Sequence, residues 1–386
     1  MTHPALQADV HTLRARIRGC LLGGAVGDAL GNPVEFLSLD RIRSSFGPRG
    51  ITGPVPAGNG VVAHVTDDTQ MTLFTAEGLI RARAQAQSKG ISGISGIGGA
   101  ETALVRNAYL RWLETQTHPA PPRPKGGDDL VRSGWLRLQP WLYARRAPGN
   151  ACLSGLRQEY VPDPYGPLDG SHGPVNPDSK GCGTVMRSAP FGLIGLPAPD
   201  AFRLAAHCAH ITHGHPTGAY AAGAFAAIVR HLLDGESLEG AVLRALELLA
   251  RHRGHEETSA ALRRALDLAA EGEPAPEQAE RLGGGWVAEE ALAIAVYAAL
   301  ARPDSVTEAL LLSVNHSGDS DSTGAVCGNL IGALYGDAAL PAAWLSVTEG
   351  RAVIAEVADD LAYAFHGAGP VADGEPVFPY ERYPHY

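Results

Sequence analysis

What this 386-residue chain lacks narrows its function before any motif is considered. It contains no run of five or more basic residues, and 31 Lys and Arg stand against 41 Asp and Glu, a formal net charge of −10. A nucleic-acid surface built on net positive charge is therefore not expected, and aromatic residues at 6% leave little for stacking bases. The five cysteines, Cys20, Cys152, Cys182, Cys208 and Cys327, are odd in number, scattered and never spaced C-x-x-C. That argues against a disulfide framework or a thiolate zinc site, and for a reducing, cytoplasmic setting. No uninterrupted apolar stretch approaches the ~18 residues a membrane span needs, and residues 1–10 show no charged segment leading into an apolar one. A soluble protein with no membrane partner is expected. The G-x-S-x-G elbow, the P-loop, the dinucleotide fingerprint and the twelve-residue EF-hand loop are all missing, as is any repeat of 20–50 residues.

What is present is a globular composition, 45% hydrophobic and 19% charged, with helical periodicity throughout. The pattern predicts helices over 11–30, 69–87, 100–115, 201–212, 217–234, 238–252, 258–271, 286–301, 305–314, 322–335 and 351–364. In the first, Leu13, Ile17, Leu21 and Leu22 recur at helical spacing before Gly31 and Pro33 stop the run. Alternating strand patterns bounded by turn signals are scarce, so the fold class is all-α. Abundant alanine and 47 glycines suggest helices in close contact. Residues 90–99, 116–135 and 145–181 interrupt the helices. The last is long and proline-rich, the kind of connection that is commonly functional or mobile. None separates two different compositions, and the chain reads as one domain over 1–386.

Two acidic clusters each precede a predicted helix: Thr66, Asp67, Asp68 and Thr69, and Asp319, Ser320, Asp321 and Ser322. Either alone is explained by N-capping, since Ser, Thr and Asp accept backbone N–H bonds at helix starts and their charge suits the dipole there. A cap needs one acceptor, however, and each cluster supplies two carboxylates with hydroxyl neighbours. Hard divalent cations take several oxygen ligands, so the pair of clusters fits Mg²⁺ or Mn²⁺, while no Cys/His set favours zinc. Both clusters read as surface turns that should meet at one site. Taken alone, Glu35 reads as an exposed loop glutamate, and Asp28, among small residues in the preceding helix, as a structural residue bonding a neighbouring helix end. Gly181, Gly183 and Met186 lie in a glycine-containing turn whose N–H groups suit a phosphate, with Arg187 placed to add charge. His213 and His215 stand at a bent helix junction, where capping and ligand contact are both open.

Taken together in this order, these segments resemble the ADP-ribosylglycohydrolase family. The matching pieces are G-C-L-L-G-G-A-V-G-D-A-L-G-N-P-V-E at 19–35, V-T-D-D-T-Q-M-T at 65–72, K-G-C-G-T-V-M-R at 180–187, T-H-G-H-P-T-G at 212–218 and G-D-S-D-S-T-G at 318–324, spanning about residues 14–335, with a C-terminal helix and tail over 336–386. The resemblance implies a single, orthogonally packed helical domain with two Mg²⁺ (or Mn²⁺) ions. It implies metal ligation by Thr66, Asp67, Asp68, Asp319, Asp321 and Ser322. Substrate contact falls to Gly181, Gly183, Met186 and His213, and Glu35, Asp67 and Asp68 are the candidates for water activation. The substrate would be an ADP-ribosylated protein or an ADP-ribose-containing small molecule. The run T-D-D-T-x-M-x-L-x-T-A-E, ending at Glu77, and T-H-x-H-P-T-G look closer to the arginine-specific branch than to the serine-specific one. A two-metal phosphoesterase using the same carboxylates, and a non-catalytic ADP-ribose-binding or structural relative, are the alternatives.

Overall fold

The computed structural model describes residues 4–57, 62–90, 99–126, 129, 131–367, 371–372, 375–376 and 381–384. The glycine-serine run expected as a loop at 90–99 falls mostly outside them. The fold is all-α. In chain order the helices are α1 (Pro4–Gly31), α2 (Leu39–Phe46), α3 (Asp67–Ser88), α4 (Glu101–Thr117), α5 (Asn150–Gly155), α6 (Ala189–Leu193), α7 (Ala198–Ala209), α8 (Pro216–Leu233), α9 (Leu238–Leu249), α10 (Glu256–Ala270), α11 (Pro276–Glu280), α12 (Ala288–Ala301), α13 (Val306–Val314), α14 (Ser320–Tyr335), α15 (Ala342–Val347) and α16 (Arg351–His366). Among the described residues the only paired strands are two residues each, Val371–Ala372 against Glu375–Pro376. Each helix expected from periodicity forms, with its ends shifted by a few residues. Periodicity missed α2 and the short α5, α6, α11 and α15, which span too few turns to show a stripe.

The core follows from composition. Ala291 to Ala298 of α12 are without exception inaccessible to solvent, as is most of α8. A helix that is apolar on all sides belongs at the centre, and α6, α7, α9, α10, α13 and α14 pack against one or both of these two, while α1 packs on α14 and α3 on α4. Phe74, Tyr109, Trp112, Phe191 and Phe225 fill the space between layers.

The contact that positions the site is between α1 and α14. Glycines recur every fourth residue on both, at 19, 23, 27 and 31 and at 324, 328 and 332, so they share one face of each helix. The helices run antiparallel with backbones almost touching. A Cβ added to Gly19 would lie 2.5 Å from Gly332 O, at Gly23 2.3 Å from Gly328 O, and at Gly27 1.9 Å from Gly324 O. This approach brings the C-terminal end of α1, which leads into Glu35, against the N-terminal end of α14, which carries the second acidic cluster. Gly27→Ala is expected to force the pair apart and cost about 3 kcal/mol or more, at the upper end of overpacking penalties. Denaturant unfolding checks this. Gly126→Ala, where an added methyl meets nothing, serves as the control.

Candidate active site

Thr66 ends an extended segment and caps α3, its hydroxyl accepting from Asp68 N at 3.3 Å. Asp319 caps α14 in the same way, its carboxylate accepting from Ser322 N at 3.4 Å. The capping explanation is therefore right for both clusters, and it is incomplete. One carboxylate oxygen of Asp68 and one of Asp319 are buried without any hydrogen-bond partner. A buried carboxylate oxygen left unmatched is costly, which calls for a cation that the protein itself does not supply.

Asp28, from inside α1, does what the sequence suggested. Its carboxylate accepts from Thr66 N at 3.0 Å and from Thr69 N at 3.1 Å, and it also takes the Thr69 hydroxyl, locking the start of α3 onto α1. Glu35 follows the single 3-10 turn Asn32–Val34 that Pro33 initiates. It is not the exposed glutamate that its loop position suggested: it is only 7% exposed. Nor do the acidic clusters form surface turns, since Asp321 is 3% exposed and Asp67, Asp68 and Asp319 are likewise buried. The reason in each case is the α1–α14 approach, which folds the two helix ends over the carboxylates.

The acidic turns, more than 240 residues apart, open onto one cavity of about 670 Å³. Glu35, Asp67, Asp68, Asp319, Asp321 and Ser322 form its acidic wall. Single oxygens of Glu35, Asp319 and Asp321 lie within 4.8 Å of one another. Thr66 is fully buried behind this wall. Gly181, Cys182, Gly183, Met186 and His213 line the same cavity, and the long 145–181 connection supplies Arg145, the turn from Ala147 to Ala151 and Ser179. Asp67 is tied to this connection by accepting from Gly149 N at 3.3 Å. Among the described residues lining the cavity, Arg145 is the one arginine or lysine.

Crowding of like charges shows in the acidities. Burial, then the charge of Asp321, pushes Glu35 up to about 9 and Asp28 up to about 7. The same two causes lift Asp67, Asp68 and Asp319 well above the usual carboxylate range. An all-oxygen donor set of this density, with two orphaned oxygens, fits a hard divalent cation. A carboxyl group whose pKa is raised by folding binds more protons folded than unfolded, so it destabilises the fold once pH exceeds its unfolded value. Chelated protein should therefore lose thermal stability as pH rises from about 5 to 9, and Mg²⁺ or Mn²⁺ should raise the melting temperature more at pH 8 than at pH 6. Thermal melts at matched ionic strength check both.

His213 packs behind the glycine turn, where a Cβ at Gly181 would lie 3.2 Å from its Nε2 and one at Gly183 3.1 Å from its Cε1. Arg187 donates to Thr212 Oγ1 at 2.6 Å, and the Thr212 hydroxyl in turn lies 2.7 Å from His213 Nδ1. With that hydroxyl donating, Nδ1 accepts and Nε2 carries the proton. Burial and Arg187 hold the ring neutral, pushing its pKa down to about 3. His213 thus offers one fixed N–H donor. Arg187 does not add charge to the cavity as expected: it is buried, stacked over Tyr109 and shared with Cys152 and Met71. His215 caps α8 through Thr217 N rather than lining the cavity. Glu77, the last residue of the run compared with arginine-specific enzymes, is buried between Arg111 at 2.8 Å and Arg81 at 3.1 Å, away from the cavity. It does not line the cavity.

Sequence reasoning missed Phe36 and Trp286, both on the cavity wall. The available signal was a tryptophan directly after three glycines at 283–285, and a phenylalanine directly after Glu35.

Helices thus converge by their ends on a buried carboxylate cluster beside a cavity of about 670 Å³, an arrangement suited to a hydrolase that uses divalent cations. The ADP-ribosylglycohydrolase family model matches residues 9–370, and the chain belongs to that family. It is 26% identical to the ADP-ribosyl-(dinitrogen reductase) glycohydrolase of Rhodospirillum rubrum, covering 86% of this chain and 89% of that protein. It is 24% identical to the ADP-ribosylarginine hydrolase Tri1 of Serratia proteamaculans, over 94% and 82%, and 30% identical to the human ADP-ribosylhydrolase ARH3, over 91% and 93%. A solved structure titled ADP-ribosylglycohydrolase-related protein complex superposes with a TM-score of 0.58 at 26% identity, covering 91% of this chain and 98% of that one. No helix among the described residues is long and apolar enough to cross a membrane.

Proposed function

We propose that the chain, acting as one domain over 1–386, is a cation-dependent hydrolase that cleaves the glycosidic bond between ADP-ribose and a modified protein side chain, with arginine preferred to serine. The observation that carries this reading is the meeting of both acidic turns and Glu35 in one cavity that Gly181 and Gly183 also line. Arginine is favoured because two of the relatives are named for dinitrogen reductase and for ADP-ribosylarginine. The free thiol state of the five cysteines supports a reducing, cytoplasmic setting.

Asp67, Asp68, Asp319 and Asp321, with the hydroxyls of Thr66 and Ser322, would hold two Mg²⁺ or Mn²⁺ ions. Bound there, the ions supply charge neutralisation, a grip on the ribose hydroxyls and a more acidic water. Gly181 and Gly183 let the ligand approach the backbone, Met186 closes the wall beneath them, and the Nε2–H of His213 donates to the ligand. Glu35 is placed as the base, with Asp67 and Asp68 as the other candidates. Its carboxylate takes a proton from the attacking water, whose oxygen bonds to the anomeric carbon as the bond to the side chain breaks. The bonding pair leaves with the side-chain nitrogen or oxygen, which is then protonated.

The test is a panel of ADP-ribosylarginine, ADP-ribosylserine and poly(ADP-ribose), with products read by mass spectrometry. Release of free ADP-ribose, abolished by chelator and restored by Mg²⁺ or Mn²⁺, supports the reading. AMP or inorganic phosphate as product would replace it with the phosphoesterase alternative. ADP-ribose binding without turnover would leave a binding protein.

A further inference from the structure

Most large apolar side chains are buried, yet Phe36 is 70% exposed and Trp286 44% exposed, and both line the cavity. Their rings stack on each other, with centroids 5.5 Å apart and planes 25° apart. Stacking uses one face of each ring, so the exposure belongs to the remaining faces and edges. The pair sits at the acidic end. Phe36 directly follows Glu35, while Trp286 is tied to the turn that bears Asp319, because Asp319 N donates to Gly284 O at 2.8 Å. The Trp286 carbonyl also accepts from Cys182 N at 3.1 Å, which fixes its backbone to the glycine wall. Gly318 makes this tie possible: its φ is +130°, and a Cβ there would lie 2.0 Å from Gly284 O. Trp286 is therefore held at its backbone, with its ring partly open and lining the same cavity as the carboxylates.

We infer that Phe36 and Trp286 form a specificity platform that receives the guanidinium of an ADP-ribosylated arginine as the leaving group. This inference rests on the proposed glycosidic cleavage. In that reading the bond to be broken lies at the carboxylates, and a modified side chain that leaves past Phe36 meets the exposed ring faces. A guanidinium is planar, cationic and weakly hydrated, and the face of an indole attracts it through the ring quadrupole. A serine leaving group has neither charge nor plane, and gains nothing from the rings.

The experiment compares kcat and KM on matched ADP-ribosylarginine and ADP-ribosylserine peptides for wild type, Trp286→Phe, Trp286→Leu and Phe36→Ala, with free ADP-ribose affinity by calorimetry. Trp286→Leu should lower the arginine-to-serine ratio of kcat/KM on the order of 3- to 30-fold, mainly through KM for the arginine peptide, and Trp286→Phe should retain most of it. Phe36→Ala should lower the ratio in the same direction. If Trp286→Leu keeps the wild-type ratio, or both peptides suffer equally, the rings are only structural and the inference is overturned. A large loss of free ADP-ribose affinity would make the platform a base-stacking site, which overturns it as well. Wild-type protein inert on both peptides would instead be a failure of the proposed function, a result that ring substitutions do not imitate.

Discussion

Asp321→Asn is expected to abolish most of the turnover while making the metal-free protein more stable. Asp321 is the hub of the cluster. After burial, its charge is the largest influence raising Asp28, Glu35, Asp67, Asp68 and Asp319. An amide at 321 removes that repulsion at almost constant volume. Chelated Asp321→Asn should therefore melt above chelated wild type, and the gap should widen as pH rises, because wild type then has more charge to accommodate. The same change takes a hard donor from the cation site. Loss of an outer-shell partner typically costs 10–100-fold in metal affinity or activity, so loss of a ligand should cost at least about 10²-fold. Calorimetric Mn²⁺ titration and melts with and without metal read both effects. A variant that is destabilised without metal, or that keeps wild-type Mn²⁺ affinity, would show that Asp321 neither carries the repulsion nor holds the ion. The trade of stability for function is of the kind that active sites make.

The helices were legible because most are long enough to show several turns of the apolar stripe. The C-terminal end of α1 was marked by Gly31 and Pro33, and the α-helix stops there, while its start lies seven residues before the expected one. The acidic residues were legible as capping clusters, because local chemistry requires oxygen at those positions. Their burial was not legible. Asp319, Asp321 and Glu35 look like solvated loop residues until α1 and α14 are known to lie against each other. The glycine spacing that permits this contact was in the sequence, at every fourth residue on both segments, but pairing two segments 300 residues apart needs the fold. Phe36 and Trp286 were illegible for a related reason. A single aromatic in a loop has no periodicity, and only the joining of two loops turns it into part of a wall. Arg187 shows the reverse case, in which local chemistry suggested a phosphate contact and packing against Tyr109 took the side chain elsewhere.

Glu35→Gln should separate chemistry from binding at this wall. Glu35 stands at the end of a 3-10 turn that follows α1, with Val34 buried beside it, so the α1–α14 contact holds its backbone in place. An isosteric amide should leave that placement intact. Without cations, burial and the charges of Asp321, Asp67 and Asp28 push the Glu35 carboxyl up to about 9, so near neutral pH it retains its proton. When those neighbours are neutralised by bound metal, the repulsion that holds the proton is removed and only burial remains. The carboxylate can then accept a proton from water, which the amide cannot do. A lost general base typically costs on the order of 10²–10⁴-fold in rate, and this loss should appear in kcat, with free ADP-ribose affinity and Mn²⁺ affinity close to wild type. Extra metal should not restore it. That distinguishes the variant from Asp321→Asn, whose activity should partly return at high metal concentration. The comparison requires kcat, KM and ADP-ribose affinity for both variants across a Mn²⁺ titration. Unchanged kcat in Glu35→Gln at saturating substrate and metal would take Glu35 out of the proton transfer and leave Asp67 or Asp68 as the base. Of these, Asp68 would be the stronger candidate, because Asp67 already accepts from Gly149 N while one oxygen of Asp68 has no partner.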